Sequence, residues 1–253
     1  MHVFAQPFWA PKGGSTDREY EDAFWPRKRM ETTATCLRFA VADGATETSY
    51  SGIWAKQLVR YLCRSSGNAP FDGDGFRRLQ QRWSTIVGRR PLPWYAEEKV
   101  RLGAFAAILG LVLYDDVDRE GSGRHWQAVA VGDSCLVQMR EEEVLVRFPL
   151  AESAAFTNRP YLLSSNPAHT GRVVDHVRNM DGTWQTGDAF YLMTDALACW
   201  FMREAEEGRT PWRVLRDLDT SDEIKPFREW VETLRKEGAM RNDDVTLLRI
   251  DIT

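Results

Sequence analysis

The stretch 36–52, CLRFAVADGATETSYSG, carries the pattern that decides the fold. Residues 35–42 are short, mostly apolar and followed by turn-forming residues, which reads as a buried strand. Asp43 stands at its end, and a helical period follows from Gly52. The arrangement recurs along the chain. Asp133 closes AVAVGD, Asp195 closes AFYLMTD, and Asp243 and Asp244 open DDVTLLRI. Glu21 and Asp22 sit in TDREYEDAFW, ahead of an aromatic stretch.

A carboxylate abutting a buried strand is costly to desolvate unless something compensates it. Few basic residues lie next to these acids in sequence, so a divalent cation is the economical counter-charge. Oxygen ligands without histidine or cysteine point to Mg²⁺ or Mn²⁺ and away from zinc. Several acids converging on one end of a sheet pair would hold two ions, the arrangement used for in-line displacement at phosphorus. Taken singly, a strand-end Asp is usually a turn residue capping its own backbone. Spacing alone does not show that the acids meet.

Outward from these acids, strands are expected at His2–Trp9, Ala104–Tyr114, Trp126–Val131, Leu136–Arg140, Val144–Phe148, Ala189–Met193 and Val245–Ile252. Helical periodicity marks Gly52–Arg64, Ala196–Glu206, Pro211–Leu218 and Lys225–Lys236. Ser51 is the expected N-cap of the first, with Gly208 and Gly238 as stops for two others. The segment 65–93, rich in Gly, Pro and Arg, reads as a surface insertion with a short helix near Phe76–Val87. The pattern predicts two sheets flanked by helices, an α/β layered sandwich, in one domain spanning 1–253.

The bulk numbers fit that picture. The 253 residues are 43% hydrophobic and carry a net charge of −4, which argues against a general nucleic-acid binder. Four scattered cysteines, without ligand spacing, suit a reducing compartment. No basic start followed by an apolar block opens the chain. The longest apolar run, Ala104–Tyr114, is too short to span a bilayer. A cytoplasmic protein with no membrane contact is the expectation.

The ordered segments TDREYEDAF, VADGATETSYSG, AVGDS, GDAFYLMTDAL and NDDVTLL resemble the motif series of the protein phosphatase 2C family, in its bacterial branch. The resemblance covers Thr16 to Ile250. It implies two central, mainly antiparallel β-sheets flanked by helices, and hydrolysis of phosphoserine and phosphothreonine on proteins by a metal-activated water, without a covalent enzyme intermediate. By the same resemblance Asp43 bridges two Mn²⁺ or Mg²⁺ ions and the Gly44 carbonyl ligates one. Glu21 holds the second ion with Asp22 alongside, and Asp195 and Asp243 complete the shell of the first. Asp133 contributes to a third, looser metal site. Arg18 matches the phosphate-gripping arginine, with Lys12 as fallback, and the segment 147–182 corresponds to a flap beside the cleft. The implied partners are a phosphorylated protein substrate and a cognate Ser/Thr kinase.

Some positions depart from the family. Arg18 precedes Glu21 by three residues rather than four, Ala196 replaces a glycine after Asp195, Asp244 stands where Asn is common, and Ala45 occupies a place where some members carry a histidine. Two other readings stay open: a catalytically silent binding module, and a phosphatase of a small metabolite. Asp188 and the cluster Asp115, Asp116 and Asp118 read as turn residues, and the four histidines as structural.

Overall fold

The computed structural model describes residues 1–46, 48, 50–65, 71, 73–89, 100–115, 123–157, 159–169, 171, 173–218 and 224–253. The apolar runs that predicted strands form them. They are β1 His2–Ala10, β4 Cys36–Gly44, β5 Phe105–Asp115, β6 Arg124–Val131, β7 Cys135–Arg140, β8 Glu143–Phe148, β11 Asp188–Met193 and β12 Val245–Ile252. Four further strands are short or polar: β2 Ala23–Trp25, β3 Met30–Thr33, β9 Leu163–Ser164 and β10 Arg178–Thr183.

One sheet runs β3-β1-β12-β11-β7-β8 and the other β10-β6-β5-β4-β2, with β9 added against β5. Neighbouring strands pair antiparallel. The inner faces meet in a core of Phe39, Leu111, Trp126, Leu136, Phe190, Leu248 and Ile250. The outer face of the first sheet is covered by α4 Asp195–Glu206, α5 Pro211–Arg216 and α6 Lys225–Lys236, through Trp200, Phe201, Leu215 and Phe227. The outer face of the second carries α1 Ser51–Arg64 and α2 Gly73–Gly88. A short α3, Val173–His176, precedes β10. The expected sandwich of two antiparallel sheets between helical layers is what forms.

Helix α2 lies within 65–93 but is more than a surface excursion. Phe76, Trp83 and Val87 are buried in the core cluster that includes Trp54 and Leu58 of α1, and Gln80 Nε2 donates to the Ser164 carbonyl at 3.0 Å. Gly208 and Gly238 stand just past α4 and α6 with φ of 76° and 69°, the left-handed conformation that ends helices cheaply. Ser51 is not a cap: Tyr50 takes that position, and the Ser51 hydroxyl is directed to Glu21. Asp188 is more than a turn residue. It is buried, pairs with Arg140 at 2.7 Å, and accepts from Gln138 Nε2 at 2.9 Å and from the Gln185 N–H at 3.0 Å. Asp115 meets the N-terminal amine and Arg124, while Asp116 and Asp118 lie outside the described residues. None of the four cysteines forms a disulfide. Among the described residues no helix is long and apolar enough to cross a membrane.

Candidate metal centre

The strand ends bring the acids together because β4 and β11 finish, and the antiparallel β12 begins, on the same side of the sandwich. Asp43 and Gly44 end β4, Asp195 opens α4 directly after β11, and Asp243 precedes β12. The short turn from β6 to β7, which crosses from one sheet to the other, adds Asp133. Gly132 in that turn has φ 101°, and a Cβ there would lie 2.5 Å from the Ala107 Cβ, so only glycine lets the turn pack. Asp43, Gly44, Asp133, Asp195 and Asp243 line one open cleft, with Thr46, Thr157, Arg159 and Arg241 among its other walls.

The electrostatics show how close these groups stand. Burial, then Asp22, Asp195, Asp243 and Asp133, push the Asp43 carboxyl well above the usual carboxylate range. Burial, then Asp195, raises Asp133 to about 7. Burial, then Asp244 and Asp195, also raises Asp22. Asp195 is raised by burial against the opposing pull of Arg241. Carboxylates whose mutual repulsion resists ionisation are those a divalent cation would relieve.

Glu21 lies in the loop before β2. Its carboxylate accepts from the Ser51 hydroxyl, which fixes it at the start of α1 beside the cleft. Gly44 passes directly beneath it: an added Cβ would sit 2.7 Å from the Glu21 carbonyl and 3.0 Å from the Ser51 carbonyl carbon. Asp22 is buried behind the cleft, accepting from Thr246 Oγ1 at 2.7 Å. Asp244 is no loose extra charge, since it accepts from the Lys12 N–H at 2.8 Å and the Glu21 N–H at 2.6 Å and so ties that loop down. Ala196 occupies an ordinary buried position in the first turn of α4, where a glycine is not required.

Arg18 is exposed in the loop between β1 and β2 and is not among the residues lining the cleft. Lys12 comes nearer, its Nζ 3.4 Å from Thr46 Oγ1. Two cleft cations escaped the sequence reading. Arg241 bonds Asp195, and Arg159 sits on the wall contributed by segment 147–182. Arg241 could have been noticed from its place two residues before Asp243; nothing in FTNRPYLL marks Arg159.

The donor set fits Mg²⁺ or Mn²⁺: it is made of oxygen, and buried Asp22 Oδ1 and Asp195 Oδ1 have no hydrogen-bond partner. Among the described residues, however, no three of the acids already surround a common point closely enough to hold an ion. The guanidinium of Arg241 is the counter-charge beside Asp195 instead.

A family model described as Protein phosphatase 2C matches residues 16–248. The chain belongs to that family. No curated protein sequence matches it individually. Among solved structures, the Mycobacterium tuberculosis serine/threonine phosphatase PstP/Ppp is 14% identical with a TM-score of 0.61, covering 100% of this chain and 99% of its own. The S. agalactiae serine/threonine phosphatase is 13% identical with a TM-score of 0.59, covering 99% of this chain and 100% of its own. The catalytic domain of PstP in complex with two manganese ions is 13% identical with a TM-score of 0.57, covering 99% of each chain. At these identities the likeness is one of fold.

Proposed function

We propose that this phosphatase-family chain hydrolyses phosphoserine and phosphothreonine esters on proteins, in the cytoplasm, with two Mn²⁺ or Mg²⁺ ions. The supporting observation is the cleft itself: Asp43, Asp133, Asp195 and Asp243, from four separate parts of the chain, face one open space and repel one another. Asp43, Asp195 and Asp243 would hold one ion, and Asp43, the Gly44 carbonyl and Glu21 the other, with Asp22 behind them. Asp133 would serve a third, looser site. The ions supply, when bound, a water acidic enough to attack phosphorus at neutral pH and positive charge beside the phosphoryl oxygens.

The chain's own residues do the rest. Ser51 and the backbone of Gly44 hold Glu21 in place beside the cleft, though Glu21 is not among its lining residues. Arg159 and Arg241, lining the cleft where Arg18 does not, bind and orient the phosphate; a guanidinium fork pairs with two of its oxygens at once. With Ala45 at the cleft wall there is no histidine there to protonate the leaving oxygen, so solvent supplies that proton. Segment 147–182, whose Arg159 and Pro160 wall the cleft, acts as the flap that shapes substrate choice within a single catalytic domain of 1–253. The Ser/Thr kinase whose products this enzyme clears is its implied partner.

The test is hydrolysis of a phosphothreonine peptide by the purified chain with Mn²⁺. Activity should vanish in EDTA and in Asp43→Ala. A wild type loaded with Mn²⁺ yet inert on phosphopeptides and p-nitrophenyl phosphate alike overturns the proposal. A second reading, a catalytically silent binding module, is favoured by the Arg241–Asp195 bond and by the absence of a preset three-acid cage among the described residues. It predicts no Mn²⁺ binding by the folded chain.

A further inference from the structure

Helix α1 contains no acidic residue and carries Lys56, Arg60 and Arg64 at four-residue spacing on its exposed side. Residues four apart share a face, and like charges there repel. Two more exposed arginines join them. Arg27, from the loop after β2, stands close enough that it and Arg60 add to burial in lowering the Lys56 pKa. Arg82 of α2 shares a groove with Arg60 and Arg64. A second groove is lined by Arg60, Lys56, Arg27 and Trp25, 45% exposed, together with Asp17, whose charge Arg228 pairs, and the buried Asp22. Among the described residues none of these five cations has a carboxylate partner, although elsewhere Arg209, Arg213, Arg216 and Arg228 are all paired. A chain of net charge −4 thus gathers positive charge on one flank, at a cost in self-repulsion that no ion pair among the described residues offsets.

We propose that this flank is a docking surface for an acidic segment of a protein partner, seated along α1 with an apolar side chain against Trp25. From Lys56 to Arg64 the stripe is about 12 Å long, the span of some four extended residues. A short acidic peptide matches that length. Single-stranded nucleic acid would call for successive aromatic platforms, and here one exposed tryptophan stands alone among the described residues. Because α1 begins at Ser51, beside Glu21, a segment held here lies near enough to the cleft to belong to the molecule whose phosphate is cleaved; this last point rests on the phosphatase reading, while the docking itself does not.

The test uses the full chain and a fluorescein-labelled peptide of eight alternating Glu and Leu residues, read by anisotropy at low salt. Binding should weaken at least about ten-fold in the double variant Lys56→Glu/Arg60→Glu, because reversing charges inside a contact removes attraction and adds repulsion. It should be unchanged in Lys225→Glu/Lys236→Glu, which reverses charge on α6 across the molecule. Circular dichroism confirms folding, and hydrolysis of p-nitrophenyl phosphate should be unaltered by the α1 changes. No binding by wild type, equal binding by the Lys56/Arg60 variant, or tighter binding of a labelled oligothymidine than of the peptide each overturns the proposal. An enzyme inert on p-nitrophenyl phosphate that still binds the peptide sinks the phosphatase reading and leaves the docking surface standing.

Discussion

Replacing Asp188 by alanine should destabilise the protein without touching metal binding, and its magnitude follows from the contacts. The carboxylate is fully buried and takes four hydrogen bonds: two from Arg140, one from Gln138 and one from the Gln185 N–H. Removing one partner of a buried pair typically costs about 3–5 kcal/mol. Arg140 is 34% exposed and can turn to water, so its share falls toward that of a surface pair, roughly 1 kcal/mol or less. Gln138 keeps its bond to the Thr183 carbonyl. A net loss of about 2–4 kcal/mol remains, which for a chain of this size lowers Tm by roughly 4–16 °C. Asp188→Asn, which keeps an acceptor, should lose less. Thermal unfolding followed by circular dichroism reads the effect, and Mn²⁺ titration of the same variant reads the cleft. A fall in Tm below about 2 °C would refute the assignment of Asp188 as the anchor between β7 and β11.

Three further outcomes are expected. Arg241→Met removes the counter-charge bonded to Asp195, so Mn²⁺ should bind more tightly, on the order of ten-fold, by calorimetry; weaker binding would contradict the counter-ion role. The Gly44→Ala methyl collides with the Glu21 carbonyl, so phosphopeptide hydrolysis should fall sharply, while roughly 1–3 kcal/mol of overpacking lowers Tm by about 2–12 °C. Burial pushes the Cys63 thiol up to about 12, so it stays protonated at pH 8 and should resist iodoacetamide until the pH is strongly alkaline. Exposed Cys36 should be modified first, as mass spectrometry of digested, labelled protein will show.

The sequence revealed most where burial and charge collide. A run such as AFYLMTD can hardly avoid being a central strand, and an acid at its end invites a partner, so Asp43, Asp133, Asp195 and Asp243 could be singled out before any fold was known. Their meeting could not, because it depends on the ends of β4 and β11 and the start of β12 lying on one side of the sandwich. The strands that escaped notice lack the signal in kind. Residues 178–183 are an exposed edge strand, RNMDGT, whose ladder bonds to β6 stand in for apolar burial. Met30–Thr33 similarly alternates half-buried and exposed at the other sheet's edge. Ser51 looked like a helix cap because serine usually is one, yet its hydroxyl serves Glu21 thirty residues earlier. Tertiary contacts of that kind leave no periodicity to read. Arg241 stands two residues before Asp243, but its bond to Asp195 was invisible for the same reason, since adjacency in sequence undercounts the cations that folding brings to an acid.

Isothermal titration of Mn²⁺ into the metal-stripped chain asks most directly whether folding gathers these carboxylates to share cations. Two or more ions should bind the wild type, and at least one should be lost in Asp43→Asn, with folding preserved. A correctly folded wild type that takes up no Mn²⁺, or an Asp43→Asn variant that takes up as much, would contradict it.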